Sequence, residues 1–185
     1  MMLISSHIND IVSVIKQKGI VAYPTEAVFG MGCAPQYEQS IQRLLAIKQR
    51  EASKGFILIA ASLEQFSSYI HPLTDKIVKR IQAKSPHPIT WLVPASETIS
   101  PLLTGKHKTL AIRITQHPSC ISLCNALGHP LISTSANPAD LPPAMTIKEV
   151  KTYFSSSIDG LLDCPLGHAN APSEIRDALT YQRLR

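Results

Sequence analysis

Four stretches of this chain carry side chains that could do chemistry together. They are Thr25-Glu26, Lys48-Gln49-Arg50 with Lys54, Arg113, and Ser133-Thr134-Ser135-Ala136-Asn137. Lys48, Arg50 and Lys54 put three cations within a few residues. Arg supplies a planar fork and Lys a point charge, the two ways a protein grips phosphate oxygens. A solvated basic helix end reads the same way, so this segment alone leaves both open. The Ser/Thr/Asn run follows an apolar stretch and can orient phosphate or carboxylate oxygens with neutral donors. It could equally form an Asx or ST turn. Arg113 interrupts the apolar run Leu110 to Ile114. It needs a partner if buried, either a structural carboxylate such as Glu26 or Asp177, or a ligand carboxylate held bidentately.

The elements that must position these groups follow from periodicity. Ile20 to Tyr23 reads as a buried strand that Pro24 ends, leaving Thr25 and Glu26 at its carboxyl edge, where ligands collect in open α/β sheets. Gly30 and Gly32 allow close backbone approach or positive φ beyond it. Helices are expected at Asn9 to Lys18 with Gly19 as C-cap, Tyr37 to Arg50, Leu63 to Tyr69, Thr74 to Ala83 and Pro118 to Leu127 with Gly128 as stop. A further helix runs from Thr146 to Phe154, with Glu149 at capping-box spacing. Strands are expected at Phe56 to Ala60, Ile89 to Val93, Thr109 to Ile114, Pro130 to Ile132 and Ile158 to Leu162. Short end strands are expected at Glu174 to Arg176 and Leu179 to Leu184, and 164–172 reads as a loop. Alternating strands and helices argue for one α/β domain over 1–185, with a largely parallel or mixed sheet flanked by helices.

Composition narrows the function classes. A chain of 185 residues with 44% apolar and 17% charged residues suits one globular domain. The formal charge of +5 favours anionic partners such as nucleotides or RNA. Cys33, Cys120, Cys124 and Cys164 form no CxxC pair, and no permanent metal site is expected; Cys120 and Cys124, one helical turn apart in an apolar segment, are expected to pack in the core, a use consistent with a reducing cytoplasm. The N-terminus reads as neither signal peptide nor transmembrane helix, and no membrane role is expected. No Walker A motif, dinucleotide fingerprint or GxSxG elbow is present. None of the histidines pairs with a nucleophile.

Taken in order, Val21-Ala22-Tyr23-Pro24-Thr25-Glu26, Lys48-Gln49-Arg50, Ala111-Ile112-Arg113, Ser133-Thr134-Ser135-Ala136-Asn137 and Pro172-Ser173-Glu174-Ile175-Arg176-Asp177 resemble the YrdC/TsaC family in its short bacterial form. The resemblance implies a twisted α/β fold with a basic concave cleft. It implies an L-threonylcarbamoyladenylate synthase that makes threonylcarbamoyl-AMP and pyrophosphate from L-threonine, bicarbonate and ATP. Mg²⁺ would travel with the ATP. A downstream threonylcarbamoyl-transferase complex would carry the group to tRNA in t6A modification, and tRNA or double-stranded RNA could touch the domain directly.

By the family's pattern Lys48, Arg50, Ser135 and Asn137 form the catalytic set. Lys48, Arg50, Lys54, Thr109, Ser135 and Asn137 hold ATP, and Thr25, Arg113, Ser133 and Ser173 hold threonine. Three positions depart from the pattern. His87 stands where Gly is usual, Glu51 where Pro is frequent, and Pro138-Ala139-Asp140 follow Asn137, with Asp140 bringing negative charge near the expected phosphates. A noncatalytic RNA-binding or ribosome-assembly module using the same basic cleft is the alternative. Its weakness is that RNA binding needs no amino-acid pocket. Carbamoyl transfer within a larger maturation enzyme is a third reading, and this chain lacks its zinc-finger cysteines.

Overall fold

In the computed structural model, which describes residues 1–169 and 171–184, the framework is a nine-stranded mixed sheet in the order β1-β8-β2-β3-β7-β4-β6-β5-β9. The strands are β1 (Leu3–Ser5), β2 (Val21–Pro24), β3 (Phe29–Gly32), β4 (Ile57–Ala60), β5 (Ile89–Pro94), β6 (Thr109–Ile114), β7 (Leu131–Ser135), β8 (Gly160–Leu162) and β9 (Glu174–Asp177). The helices are α1 (Ile8–Lys16), α2 (Glu38–Lys48), α3 (Asp75–Gln82), α4 (Pro101–Thr104), α5 (Pro118–Leu127) and α6 (Ile147–Phe154). Four neighbouring pairs are parallel (β1/β8, β2/β8, β4/β6, β5/β9) and four antiparallel (β2/β3, β3/β7, β4/β7, β5/β6).

The strand period of two sorts the core into two layers. Ala22, Leu58, Ala60, Leu110, Ile112 and Ile132 face one side, packed with Ile41 and Leu44 of α2 and with Val150 and Phe154 of α6. Val21, Tyr23, Ile59 and Leu131 face the other, under Ile11 and Ile15 of α1 and Cys120, Leu123 and Cys124 of α5. Helices α1 and α5 cover only part of that second face. Beyond them the same register carries Ser133 and Ser135 on β7, and Arg113, Ala111 and Thr109 on β6. That helix-free floor becomes the cleft.

Most expected elements form, with bounds shifted by a few residues. Gly19 does not take the left-handed conformation; Lys18 does, at φ 66°. Gly19 is needed for space, since a Cβ there would stand 2.5 Å from Val14 Cγ1. At the end of α2, Gln49 is left-handed (φ 47°), so that helix stops at Lys48. Gly128 does act as a left-handed stop. Leu63 to Tyr69 yields only a 3₁₀ turn, Glu64–Phe66, after which Ile70 bridges Ala95 in an extended link to the sheet.

Leu179 to Leu184 is not a strand. Tyr181 turns to φ 68°, leaving a single bridge between Arg176 and Arg183. There Tyr181 packs on Trp91, with ring centroids 6.0 Å apart, and lies against Arg80 and Arg176. Strands β1 and β3 and helix α4 escape sequence patterning. Phe29-Gly30-Met31-Gly32 has poor strand propensity but fits where no side chain could, because a Cβ on Gly32 would lie 1.7 Å from Ile132 O.

The expected capping box is present. Glu149 N donates to Thr146 Oγ1 (3.1 Å) and Thr146 N donates to Glu149 Oε2 (2.9 Å). Thr146→Ala is expected to cost about 1 kcal/mol, read as a lower denaturant midpoint at unchanged slope. The cysteines behave as packing residues: Cys33, Cys120 and Cys124 are buried, and burial pushes the thiols of Cys33 and Cys124 up to about 12.

Candidate active site

The helix-free part of the sheet forms the floor of a cavity of about 810 Å³, within the range of small-molecule sites. Its lining includes Gly30 of β3, Ser133 and Ser135 of β7, Ile57 of β4, and Thr109, Ala111 and Arg113 of β6. Ligand contact is thus offered by a sheet face as well as by a strand edge, because the sheet is mixed and its helices leave that face open. Thr109 and Arg113 lie four residues apart on one strand, about 13 Å, and mark two ends of different chemistry.

At the Arg113 end, β2 stops at Pro24 and turns through residues 25–28 into β3. Thr25 Oγ1 donates to Val28 O (2.7 Å), which fixes the turn. Gly30 leaves room beside it, since a Cβ there would meet Thr25 Cγ2 at 2.9 Å. Thr25, Ser133 and Ser173 are buried hydroxyls on the wall, and Ser173 Oγ lies 2.8 Å from Thr90 Oγ1. Arg113 is only 9% exposed. Of the two carboxylates considered for it, Glu26 is the partner, at 3.5 Å from Nη2 to Oε2. Asp177 instead accepts from Leu179 N and Thr180 N within its own turn. Burial pushes Glu26 up, but Arg113, the Thr115 hydroxyl and the Gln116 N–H outweigh it and hold the carboxyl below its usual range.

At the other end stand Arg50 and Lys54. Arg50 donates from Nε (3.2 Å) and Nη2 (2.9 Å) to Gly55 O and lies over the Phe56 ring. The loop is locked by two left-handed glycines, Gly55 (φ 58°) and Gly105 (φ 62°); a Cβ on Gly105 would stand 2.2 Å from Ser53 O. Burial lowers Arg50 from its ordinary value. Lys54 is exposed on the cavity wall, and His107, which sequence reading left without a role, lines the same end.

Lys48 and Asn137 are not wall residues. Lys48 comes from behind the sheet, and its ammonium donates to Ser135 O (2.8 Å), to Asn137 Oδ1 (3.0 Å) and to Asn137 O. Asn137 Oδ1 also accepts from Ser135 Oγ (2.6 Å), while Asn137 Nδ2 donates to Leu141 O (2.7 Å). The Ser/Thr/Asn run is therefore strand through Ser135, followed by a bend that Lys48 clasps. Burial and the neighbouring Arg50 charge pull Lys48 down to about 8.

The three departures stay off the wall. Asp140 is exposed in a left-handed turn (φ 63°) and His87 is exposed without positive φ. Glu51 accepts weakly from Ser53 Oγ (3.3 Å). No group of three or more His, Cys, Asp or Glu among the described residues could hold a metal, and no described helix is long and apolar enough to cross a membrane.

An α/β domain whose cavity has a buried polar end and a cationic end has the features of a small-molecule enzyme, and its relatives name the group. The chain belongs to the Sua5/YciO/YrdC family, whose profile, described as telomere recombination, matches residues 13–185. It is 49% identical over 172 residues to the threonylcarbamoyl-AMP synthase of Nitrosococcus oceani, covering 93% of each chain. It is 46% identical to that of Pasteurella multocida over 97% of this chain and 98% of the relative. The fold matches Escherichia coli YciO with a TM-score of 0.77 at 23% identity, covering 96% of this chain and 88% of that one. It also matches Pyrococcus abyssi Sua5 in complex with L-threonine, with a TM-score of 0.86 at 24% identity; the chain spans 54% of that longer protein. The activity that goes with these near full-length relatives is threonylcarbamoyl-AMP synthesis, a nucleotidyl transfer in t6A modification of tRNA. ATP, L-threonine and bicarbonate are its substrates.

Proposed function

We propose that this cavity is where the three substrates meet, with Arg113 holding the threonine carboxylate and the buried hydroxyls of Thr25, Ser133 and Ser173 placing its amine and side chain. The observation that carries the reading is the buried guanidinium on a cavity wall, flanked by those hydroxyls at one end of β6 with cations at the other. Arg50 and Lys54 take the ATP phosphates there, with Lys48 close behind, and Ser135 and Thr109 orient the nucleotide, Asn137 acting from behind the wall by holding Ser135 in place. The amine and bicarbonate form a carbamate, its oxygen attacks the α-phosphorus, and pyrophosphate leaves. The protein's work is alignment and neutralisation of developing charge. In this reading Mg²⁺ would enter with ATP as part of the substrate and supply neutralisation of phosphate charge. The same reading places the domain, one unit over 1–185, in the cytoplasm, handing its product to a threonylcarbamoyl-transferase complex and touching tRNA through its basic surface.

Pyrophosphate release from ATP tests it. Release is expected to require L-threonine, bicarbonate and Mg²⁺ together and to fall when serine replaces threonine. Release indifferent to threonine would sink the assignment of the Arg113 end. ATP binding unaffected by Arg50→Ala would sink that of the cationic end. The RNA-module reading is set aside because the chain matches synthases over nearly their whole length.

A further inference from the structure

Glu26 has no role in the mechanism above, yet it ties three elements together at the amino-acid end. Its Oε1 accepts from Thr115 Oγ1 (2.7 Å) and Gln116 N (3.0 Å), just beyond β6. Its backbone O accepts from Ala169 N (2.8 Å), and Gly167 packs so closely that a Cβ there would stand 2.7 Å from the same oxygen. Its Oε2 faces Arg113 Nη2 at 3.5 Å, and neither Oε2 nor Arg113 Nε has a hydrogen-bond partner among the described residues, though both are buried.

This is an unusual way to pair two buried charges. A carboxylate that served only to satisfy the arginine would grip the fork through two short bonds. Here one oxygen is clamped to the backbone and a hydroxyl, and the other compensates the guanidinium's charge without occupying its donors. The fork's donors are left available to a ligand.

The charge pattern has a further consequence. Before substrate binds, this end of the cavity is close to neutral. A bare carboxylate on Arg113 would leave two anions sharing one cation. An α-amino acid brings its own ammonium and restores the balance. We propose that Glu26 is a positioning and specificity residue, which fixes the Arg113 fork and makes the site a receptor for a zwitterionic α-amino acid rather than for a carboxylate alone. The proposal rests on the reading of Arg113 as the partner of the threonine carboxylate.

It also bears on the direction of the reaction. Carbamate formation joins the amine nitrogen to the bicarbonate carbon and releases one water and one proton, so a positive group becomes negative. The attraction between Glu26 and that group turns into repulsion. The new anion is then favoured toward Arg50 and Lys54, where the α-phosphorus awaits.

The test compares L-threonine with 3-hydroxybutyrate, which is threonine without its amine. Binding of each is titrated to wild type and to Glu26→Gln, without ATP. The Gln amide oxygen still accepts from Thr115 and Gln116, so the clamp persists while the charge is gone. L-Threonine is expected to bind about tenfold more weakly to the variant, and 3-hydroxybutyrate at least as tightly as before. Thr115→Val, which loosens the clamp but keeps the charge, should weaken both ligands and preserve the preference. Equal weakening of both ligands by Glu26→Gln would reduce Glu26 to a structural part and overturn the proposal, as would unchanged affinity for L-threonine. If the wild type bound ATP but no L-threonine, the underlying site assignment would fall, and this proposal with it.

Discussion

Lys48→Ala is expected to lower turnover by a factor on the order of 10² to 10³ and to raise the KM for ATP, while the KM for threonine changes little. The ammonium is the clasp that shapes the bend after β7, holding Ser135 O, Asn137 Oδ1 and Asn137 O. Without it, Ser135 and Asn137 lose their placement together, and part-buried carbonyl oxygens lose their donor at a cost of about 2–3 kcal/mol. For a chain of this size that is a fall in Tm of roughly 4–12 °C. A scanning calorimetry trace and steady-state kinetics at varied ATP check both parts.

The pH dependence of the wild type provides a second signature. With Lys48 pulled down to about 8, its positive charge is lost in the folded protein as pH rises through that value. The unfolded chain keeps it to about 10.4. Between the two the unfolded state binds more protons, so this group's contribution to stability rises with pH. On the proposed assignment, its help to phosphate binding falls over the same range. kcat/KM for ATP is therefore expected to drop above pH 8 with no loss of stability from this group, and the drop should be missing in Lys48→Ala. A drop of the same size in the variant would assign the titration elsewhere.

Arg113→Ala carries the other large effect. It removes the fork proposed to hold the threonine carboxylate, and on that assignment the KM for L-threonine is expected to rise a hundredfold or more. It also leaves Glu26 as a buried carboxylate without its cation, a loss of about 3–5 kcal/mol. In the wild type the depressed Glu26 pKa contributes stability above the ordinary carboxylate range, lost as pH falls through the lowered value. In Arg113→Ala burial dominates and raises that pKa, so the penalty is felt at neutral pH and relieved by acid. The Tm difference between the two proteins should shrink from pH 7 toward pH 4. Arg113→Lys keeps a positive charge beside Glu26 but not the planar fork. It should recover much of the stability and little of the threonine affinity. Recovery of both would mean that charge alone holds the substrate.

The sequence by itself determined the local elements and the chemistry they carry. Strand β6 and helix α5 begin and end where apolar period, Pro118 and Gly128 place them, because these signals act within a few residues. The ordered motifs were enough to name the family, and the residue types were enough to single out the cations and hydroxyls that line the cavity. What the sequence could not decide was whatever depends on distant residues meeting. The glycines of β3 suppress any strand signal, and only the approach of Ile132 to Gly32 explains the strand there. Lys48 and Arg50 look alike along the chain, two cations at one helix end. The left-handed Gln49 between them sends Lys48 beneath the bend and Arg50 onto the cavity wall. Arg113 could have met Glu26 or Asp177, and the sheet order put Glu26 beside it. That choice, like the open sheet face that α1 and α5 fail to cover, is made by packing over long separations, which no local pattern encodes.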